Sequence, residues 1–355
     1  MFTLKKLAYH ACDERNKHWY NTVPKNVTKI NIKSCCEDLI QITKGKKSVN
    51  NTTTVLCSTA SRYGHLDCLI FARQMQCSWD SRTCSVAARN GHLECLKYAH
   101  ENGCAWNNNT CSNAAYRGHL HCLRYAHENN CPWTVSTTDC ATKNGNLECL
   151  IYAHENGCPL DEWASLKAAS EGHLNCLQYT HANGCNWGIF ICAAAAEGGH
   201  LKCLKYAHEQ GCVWDFSTSL YAARKGNFHC LKYAIDNGCP WSDLVTYTAV
   251  VSGNLKCLKY VLEKRGPWND KIARVAASEG HLNCLKYAHE KGLPWDEKVC
   301  ALSYDKRHLN CLMYARKHGC PMDKDTRKRI VKDKRLKKIT KMMLLHPKKC
   351  KLLIR

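Results

Sequence analysis

Residues 91–117 read GHLECLKYAHENGCAWNNNTCSNAAYR, from Gly91 to Arg117, and at Gly118 the same phrase starts again. Glycine stands at 64, 91, 118, 145, 172, 199, 226, 253 and 280, with Arg307 in the tenth place, so every step is 27 residues. Numbered from that glycine, position 5 is Cys in all ten copies (Cys68 to Cys311) and position 6 is Leu in all ten (Leu69 to Leu312). Position 3 is Leu in nine copies and Phe228 in the other, position 8 is Tyr in nine with Phe71 in the first, and position 9 is mostly Ala. Positions 3, 6, 8 and 9 make an apolar stripe on a helix, whereas a strand would alternate. This is the B helix. A second stripe of small residues at positions 21, 24 and 25, as in Cys84, Ala87, Ala88 and Cys111, Ala114, Ala115, marks an A helix that approaches its neighbours closely.

The punctuation agrees with two helices per copy. Position 17 is Asp, Asn, Ser or Thr in nine copies (Asp80, Asn107, Thr134, Asp161, Asp215, Ser242, Asn269, Asp296, Asp323), residues whose side chains accept from free amides at a helix start. Glycine at position 13 in seven copies and at position 1 in nine supplies left-handed helix ends. Position 2 is His or Asn throughout and is expected to cap the B helix. One such pair cannot bury both of its apolar faces. Stacking the copies does, so the expected fold is an all-α solenoid of helix-turn-helix repeats with contacts between neighbours only.

Ala87-Ala88-Arg89-Asn90-Gly91-His92-Leu93 and Gly103-Cys104 resemble the second part of the ankyrin repeat, and the match recurs in ten copies over about residues 37–346. The Thr-Pro-Leu-His opening of that family is absent, and the period is six residues short of its usual 33. The loss falls between Gly-Cys and the A helix, where ankyrins build their projecting β-hairpin. The resemblance therefore implies an ankyrin-like α-solenoid with little or no β-hairpin. The wording GHLxCLKYAHENGCPW resembles ankyrin-like proteins of large DNA viruses of amoebae and other protists.

Four segments are expected: a helical cap and linker over 1–36, a degenerate capping repeat over 37–63, ten repeats over 64–333, and a basic cap and tail over 334–355. Residues 1–20 are read as a helix and 35–44 as another. The cysteines number 28, but position-5 thiols one layer apart stand beyond the ~4.4–6.8 Å that a disulfide spans between Cα atoms. They replace small ankyrin hydrophobes and are expected to be buried thiols in a reducing, intracellular compartment, the cytoplasm or nucleus. No signal-peptide core and no membrane-length apolar run is evident. The net charge of +21 sits at the ends: residues 1–50 hold ten Lys/Arg against four acids, 51–323 hold 27 against 24, and 324–355 hold 14 against two.

No phosphate loop, Gly-x-Ser-x-Gly elbow or dinucleotide fingerprint occurs. No catalytic residue, cofactor or metal site is assigned, and the chain is expected not to be an enzyme. The recurrent His-Glu-x-Gly-Cys, as at His100–Cys104, mimics half a zinc motif, but glycine ends the helix before the cysteine. Trp at position 16 (Trp79, Trp106, Trp133, Trp187, Trp214, Trp241, Trp268, Trp295) reads as a packing ladder, with base or peptide stacking as the rival. Positions 26 and 27 vary most freely, and the ankyrin resemblance implies that they line a concave binding surface. The candidate protein-interaction residues are Arg62, Tyr63, Arg89, Asn90, Tyr116, Arg117, Lys143, Asn144, Arg224 and Lys225. A basic cluster, Arg327, Lys328, Arg329, Lys337 and Lys338, is either a solvated cap face or a nuclear-targeting or nucleic-acid patch. The expected function is a monomeric, non-enzymatic protein-interaction scaffold, with no membrane partner, holding a host protein if viral. A nucleic-acid-associated protein acting through basic ends and a Cys/His metal protein are the alternatives.

Overall fold

A computed structural model of the chain describes residues 53–161, 163–185, 187–188, 190–264, 266, 271–336 and 338–345. The expected helices over 1–20 and 35–44, the linker between them, Trp268, Asn269 and the tail from 346 lie outside the described residues. Among the described residues every regular element is an α-helix of 8–10 residues, 22 in all, and there is no strand. The chain divides into two compact units, Met1–Asn186 and Trp187–Arg355.

In the first unit the A helices Thr53–Arg62, Ser81–Arg89, Asn108–Arg117, Val135–Lys143 and Ala164–Glu171 pack in one row. The B helices Leu66–Gln74, Leu93–Glu101, Leu120–Glu128, Leu147–Glu155 and Leu174–Ala182 form a second row against it. The second unit repeats the plan. Its A row is Phe190–Gly198, Phe216–Lys225, Asp243–Val251, Lys271–Ser278, Glu297–Asp305 and Lys324–Lys332. Its B row is Leu201–Glu209, Phe228–Asp236, Leu255–Glu263, Leu282–Glu290, Leu309–Lys317 and Lys338–Leu345.

The local causes are those of the sequence. The Asp80 side chain accepts from the Arg82 amide, and Asn107, Thr134, Asp161, Asp215, Asp296 and Asp323 do the same at their own helix starts. Ser242 is extended but makes no such side-chain bond. Glycine at position 13 is left-handed, and so are Gln76 (φ 57) and Asn130 (φ 61), which replace it. The next amide then closes the turn, as Cys104 N–H donates to the Ala99 carbonyl at 2.9 Å. The Leu at position 6 is wholly buried in all ten copies, and each stabilises by roughly 1.5–3 kcal/mol. Paired alanines such as Ala87-Ala88 and Ala114-Ala115 have no exposed surface and let the A helices lie close.

Position 2 corrects an expectation. No His or Asn there makes a side-chain cap bond to its own B helix. Its backbone near φ −91, ψ 74 at His92 is not the extended geometry of Asp80 (φ −139, ψ −178), so the ring turns away from the free amides. It reaches back one layer instead. His92 Nε2 lies 3.1 Å from the Arg62 carbonyl, and His173 Nε2 lies 3.0 Å from that of Lys143. Asn146 Nδ2 donates to the carbonyls of Ala115 and Tyr116 at 2.8 and 3.0 Å. The residue thus caps the C-terminus of the A helix one layer back, as His92 does for Thr53–Arg62. His and Asn interchange because each supplies the N–H that those orphan carbonyls lack.

The described cysteines are free thiols, buried except for the half-buried Cys140 and Cys185. Burial pushes Cys95, Cys122 and Cys149 up to about 12. Cys104 donates to the Asp80 carbonyl at 3.2 Å, and Cys131 to that of Asn107 at 3.3 Å, tying each loop to the start of the A helix beside it.

Candidate interaction surface

The residues at positions 26 and 27 end each A helix at the surface. Arg62, Tyr63, Arg89, Asn90, Arg117 and Lys143 are exposed, and Tyr116 and Asn144 are half-buried. Their backbones are held fast. The position-26 carbonyls of Arg62, Arg89, Tyr116 and Lys143 each accept from the position-2 side chain of the next helix layer, 30 residues on: His92, His119, Asn146 and His173.

The side chains sort into three kinds. Asn90 and Asn144 donate their amides to Val86 and Cys140 of their own helices at 2.8 and 2.9 Å, which closes those helix ends. Arg224 and Lys225, in the second unit, both pair with Glu197, at 2.7 and 3.7 Å. Arg62, Arg89, Arg117 and Lys143 make no ion pair with the described residues. Two of these guanidiniums, of Arg89 and Arg117, lie over the Tyr116 ring at 4.8 and 5.5 Å.

The tryptophans are part of the packing. The position-10 histidine stacks on the Trp of its own copy: His100 on Trp106 at 3.7 Å, His127 on Trp133 and His208 on Trp214 at 3.8 Å. The same histidine meets the tyrosine hydroxyl of the next layer, as His100 Nδ1 with Tyr125 at 3.1 Å and His127 Nδ1 with Tyr152 at 2.9 Å. Each Trp then meets that tyrosine edge-on, 6.2 Å for Trp106–Tyr125. Where Arg73 replaces the histidine, its guanidinium covers Trp79 at 4.0 Å. In these copies the indole faces are therefore occupied by the scaffold; Trp241, whose copy has Ile235 in place of the histidine, is half-buried without that stack. Among the described residues no three His, Cys, Asp or Glu side chains converge as a metal ion requires.

In the C-terminal cluster Arg327, Lys328 and Lys338 are exposed, whereas Arg329 pairs with Asp305 and Asp325. Lys337 lies outside the described residues. Arg307 Nη1 meets Asp333 at 2.7 Å, and Asp333 also accepts from the Tyr304 hydroxyl at 3.0 Å. Arg329 is thus the described member of this cluster that is locally neutralised.

Sequence reasoning missed one feature. Phe190, Phe216 and Leu244 stand about half exposed at the first turn of three consecutive A helices of the second unit, with Tyr247 on the same helix as Leu244. The signal was present in the sequence: Phe190 and Leu244 stand at position 19, where other copies place Arg82, Asn109 and Ser136, and Phe216 stands one place earlier in its own copy. No described helix is long and apolar enough to cross a membrane.

No protein-family model matches the chain, and no curated protein matches it. Among solved structures it is similar to the human ASB11 ankyrin repeat domain, at 21% identity over 44% of this chain and 84% of that one, with a TM-score of 0.40. It is also similar to the pentatricopeptide repeat protein PPR10 in complex with an 18-nt psaJ RNA element, at 13% identity over 79% of this chain and 50% of that one, with a TM-score of 0.43. Both are repeat proteins by name, and at these scores neither carries anything about partner or activity.

Proposed function

We propose that the chain is a non-enzymatic scaffold that holds another protein along the exposed edge of its A helices. The observation that carries this is the row Phe190, Phe216 and Leu244, joined by Tyr247, each about half exposed on three consecutive A helices of the second unit. Exposed apolar side chains that follow one another along a row mark contact surfaces more often than single scattered ones do. The buried thiols support a reducing, intracellular setting, and the GHLxCLKYAHENGCPW wording supports a virus-encoded protein with a host target. The regions 1–63 and 334–355 are proposed to close the two ends of the stack.

The test is cross-linking in cells followed by mass spectrometry, with the native chain beside Phe216→Asp/Leu244→Asp. Native protein is expected to recover a reproducible protein set that the variant loses, while far-UV circular dichroism stays unchanged. A native chain that recovers no reproducible protein refutes the scaffold. A variant that recovers the same set moves the contact away from this row.

A further inference from the structure

We infer that the first unit carries a binding track for an extended acidic segment of a partner protein, formed by Arg62, Arg89, Arg117 and Lys143. The inference deepens the scaffold reading and rests on it. Four consecutive layers each end an A helix with one exposed cation at position 26 or 27. No acid stands at either position in those layers; Glu171 in the fifth layer ends the run. The helices Thr53–Arg62, Ser81–Arg89 and Asn108–Arg117 contain no acid at all. The fourth, Val135–Lys143, contains Asp139, which is spent on Lys167 at 2.9 Å. Among the described residues the four exposed cations therefore meet no carboxylate, Arg89 donating to the Asn113 amide oxygen at 3.4 Å, in contrast to Arg224 and Lys225 on their Glu197.

The spacing is fixed by the scaffold. Each backbone carbonyl at position 26 is bonded by the next layer, so the helix ends that carry the cations, at position 26 in three layers and at 27 for Arg117, repeat at the layer distance of about 8–10 Å. A segment in the extended polyproline II form advances roughly 3.1 Å per residue with three residues per turn, so one layer matches three residues, every third side chain returns to the same side, and the track matches about nine or ten. A segment with Asp or Glu at every third residue would meet all four cations while ordering few protein side chains. Guanidinium forks suit carboxylates, and three of the four cations are arginines.

A single-stranded nucleic acid fits less well. Such sites need open aromatic faces on which bases stack. Tyr116 is already covered by Arg89 and Arg117, and Tyr63 alone, 53% exposed, remains along the four layers. The chain's own N-terminal fifty residues do not supply the ligand, since they hold ten Lys/Arg against four acids.

The experiment uses the full chain and fluorescence anisotropy. The probes are a labelled twelve-residue peptide with Glu at every third position, its Gln analogue, and a twelve-nucleotide oligo-dT. The Glu peptide is expected to bind best and to weaken with added salt. Arg62→Glu/Arg89→Glu/Arg117→Glu/Lys143→Glu is expected to raise its Kd at least ~30-fold, from four exposed pairs of modest strength each. Arg224→Glu/Lys225→Glu, whose cations lie off the track and share Glu197, is expected to change it less than about threefold. Circular dichroism confirms that both variants are folded. Equal binding of the Glu and Gln peptides, undiminished binding by the fourfold variant, or tighter binding of oligo-dT overturns the inference. Cross-linking the fourfold variant in cells separates the two readings: if it keeps the native partner set, the acidic track falls and the scaffold stands.

Discussion

Replacing Gly145 by alanine tests the inter-layer joint on which the stack depends. Gly145 is left-handed, with φ +74, and a Cβ built there falls 2.4 Å from His173 Nδ1 and 2.7 Å from its Cε1. Gly157, at position 13 of the same copy, is equally left-handed (φ +87), but its Cβ meets nothing within 4 Å. The backbone strain of an alanine in that conformation is about 1–2 kcal/mol and is common to both. At Gly145 the imidazole must also swing aside, breaking its bond to the Lys143 carbonyl at 3.0 Å. A lost hydrogen bond adds about 0.5–1.5 kcal/mol, so Gly145→Ala is expected to cost roughly 1.5–3.5 kcal/mol against about 1–2 for Gly157→Ala.

A cycle with His173→Ala isolates the difference. In that background Gly145→Ala should fall to the cost of Gly157→Ala, a coupling of about 1 kcal/mol or more. Urea titration followed by circular dichroism gives the stabilities. Native-state hydrogen exchange places the loss, since a repeat array opens locally around a weakened joint. Equal costs at the two glycines, or a coupling near zero, would refute the claim that Gly145 is kept free for the histidine above it.

Other outcomes follow from the same packing. His92→Asn should stay within about 0.5 kcal/mol of native, because Asn146 already makes the equivalent bonds, whereas His92→Leu should lose about 0.5–1.5 kcal/mol in urea titration. Trp106→Ala removes the plane on which His100 stacks and the partner of Tyr125; a half-buried indole should cost about 2–3 kcal/mol, at or below the range for core Trp, by the same assay. The buried thiols among the described residues should be silent to Ellman's reagent at pH 8 and react together on unfolding, the half-buried Cys140 and Cys185 aside. Burial holds Cys95, Cys122 and Cys149 up to about 12, while unfolded thiols ionise near pH ~8.5. Their contribution is complete below the unfolded value and is lost as pH rises through about 9 to 12, so the urea midpoint should drop steeply over that window. A flat midpoint up to pH 10.5 would contradict it.

The helices, their order and their buried faces were legible because each depends on residues within one copy. Leu at position 6, Ala at 24 and 25, and the side-chain acceptors at 17 act inside their own helix or its immediate partner. The role of position 2 was not legible from one copy. A His or Asn just before a helix has the look of an N-cap, and only its bond to a carbonyl 30 residues earlier shows otherwise. Likewise the availability of the candidate cations depends on acids one period away. Glu197 and Arg224 occupy the same column of adjacent copies, so their pairing is invisible along the chain and plain across it.

One pair of positions shows that the cross-layer logic is written in the sequence after all. Glycine at position 1 lies under the position-2 side chain of the next copy: Gly64 under His92, Gly118 under Asn146, Gly280 under His308. The copy that begins at Arg307 has lost its glycine, and the position above it, 28 residues on, is Arg335 in place of His or Asn. The left-handed turn survives at Arg307 with φ 65. With no imidazole or amide above, the Cβ has room, and the side chain is used for an ion pair with Asp333. Glycine is thus kept for the contact as much as for the dihedral: Gln76, Asn130 and Arg307 all adopt the same conformation without it. A column in which a glycine and the residue one period and one step later change together is the signature of touching layers, and it is readable before any coordinates.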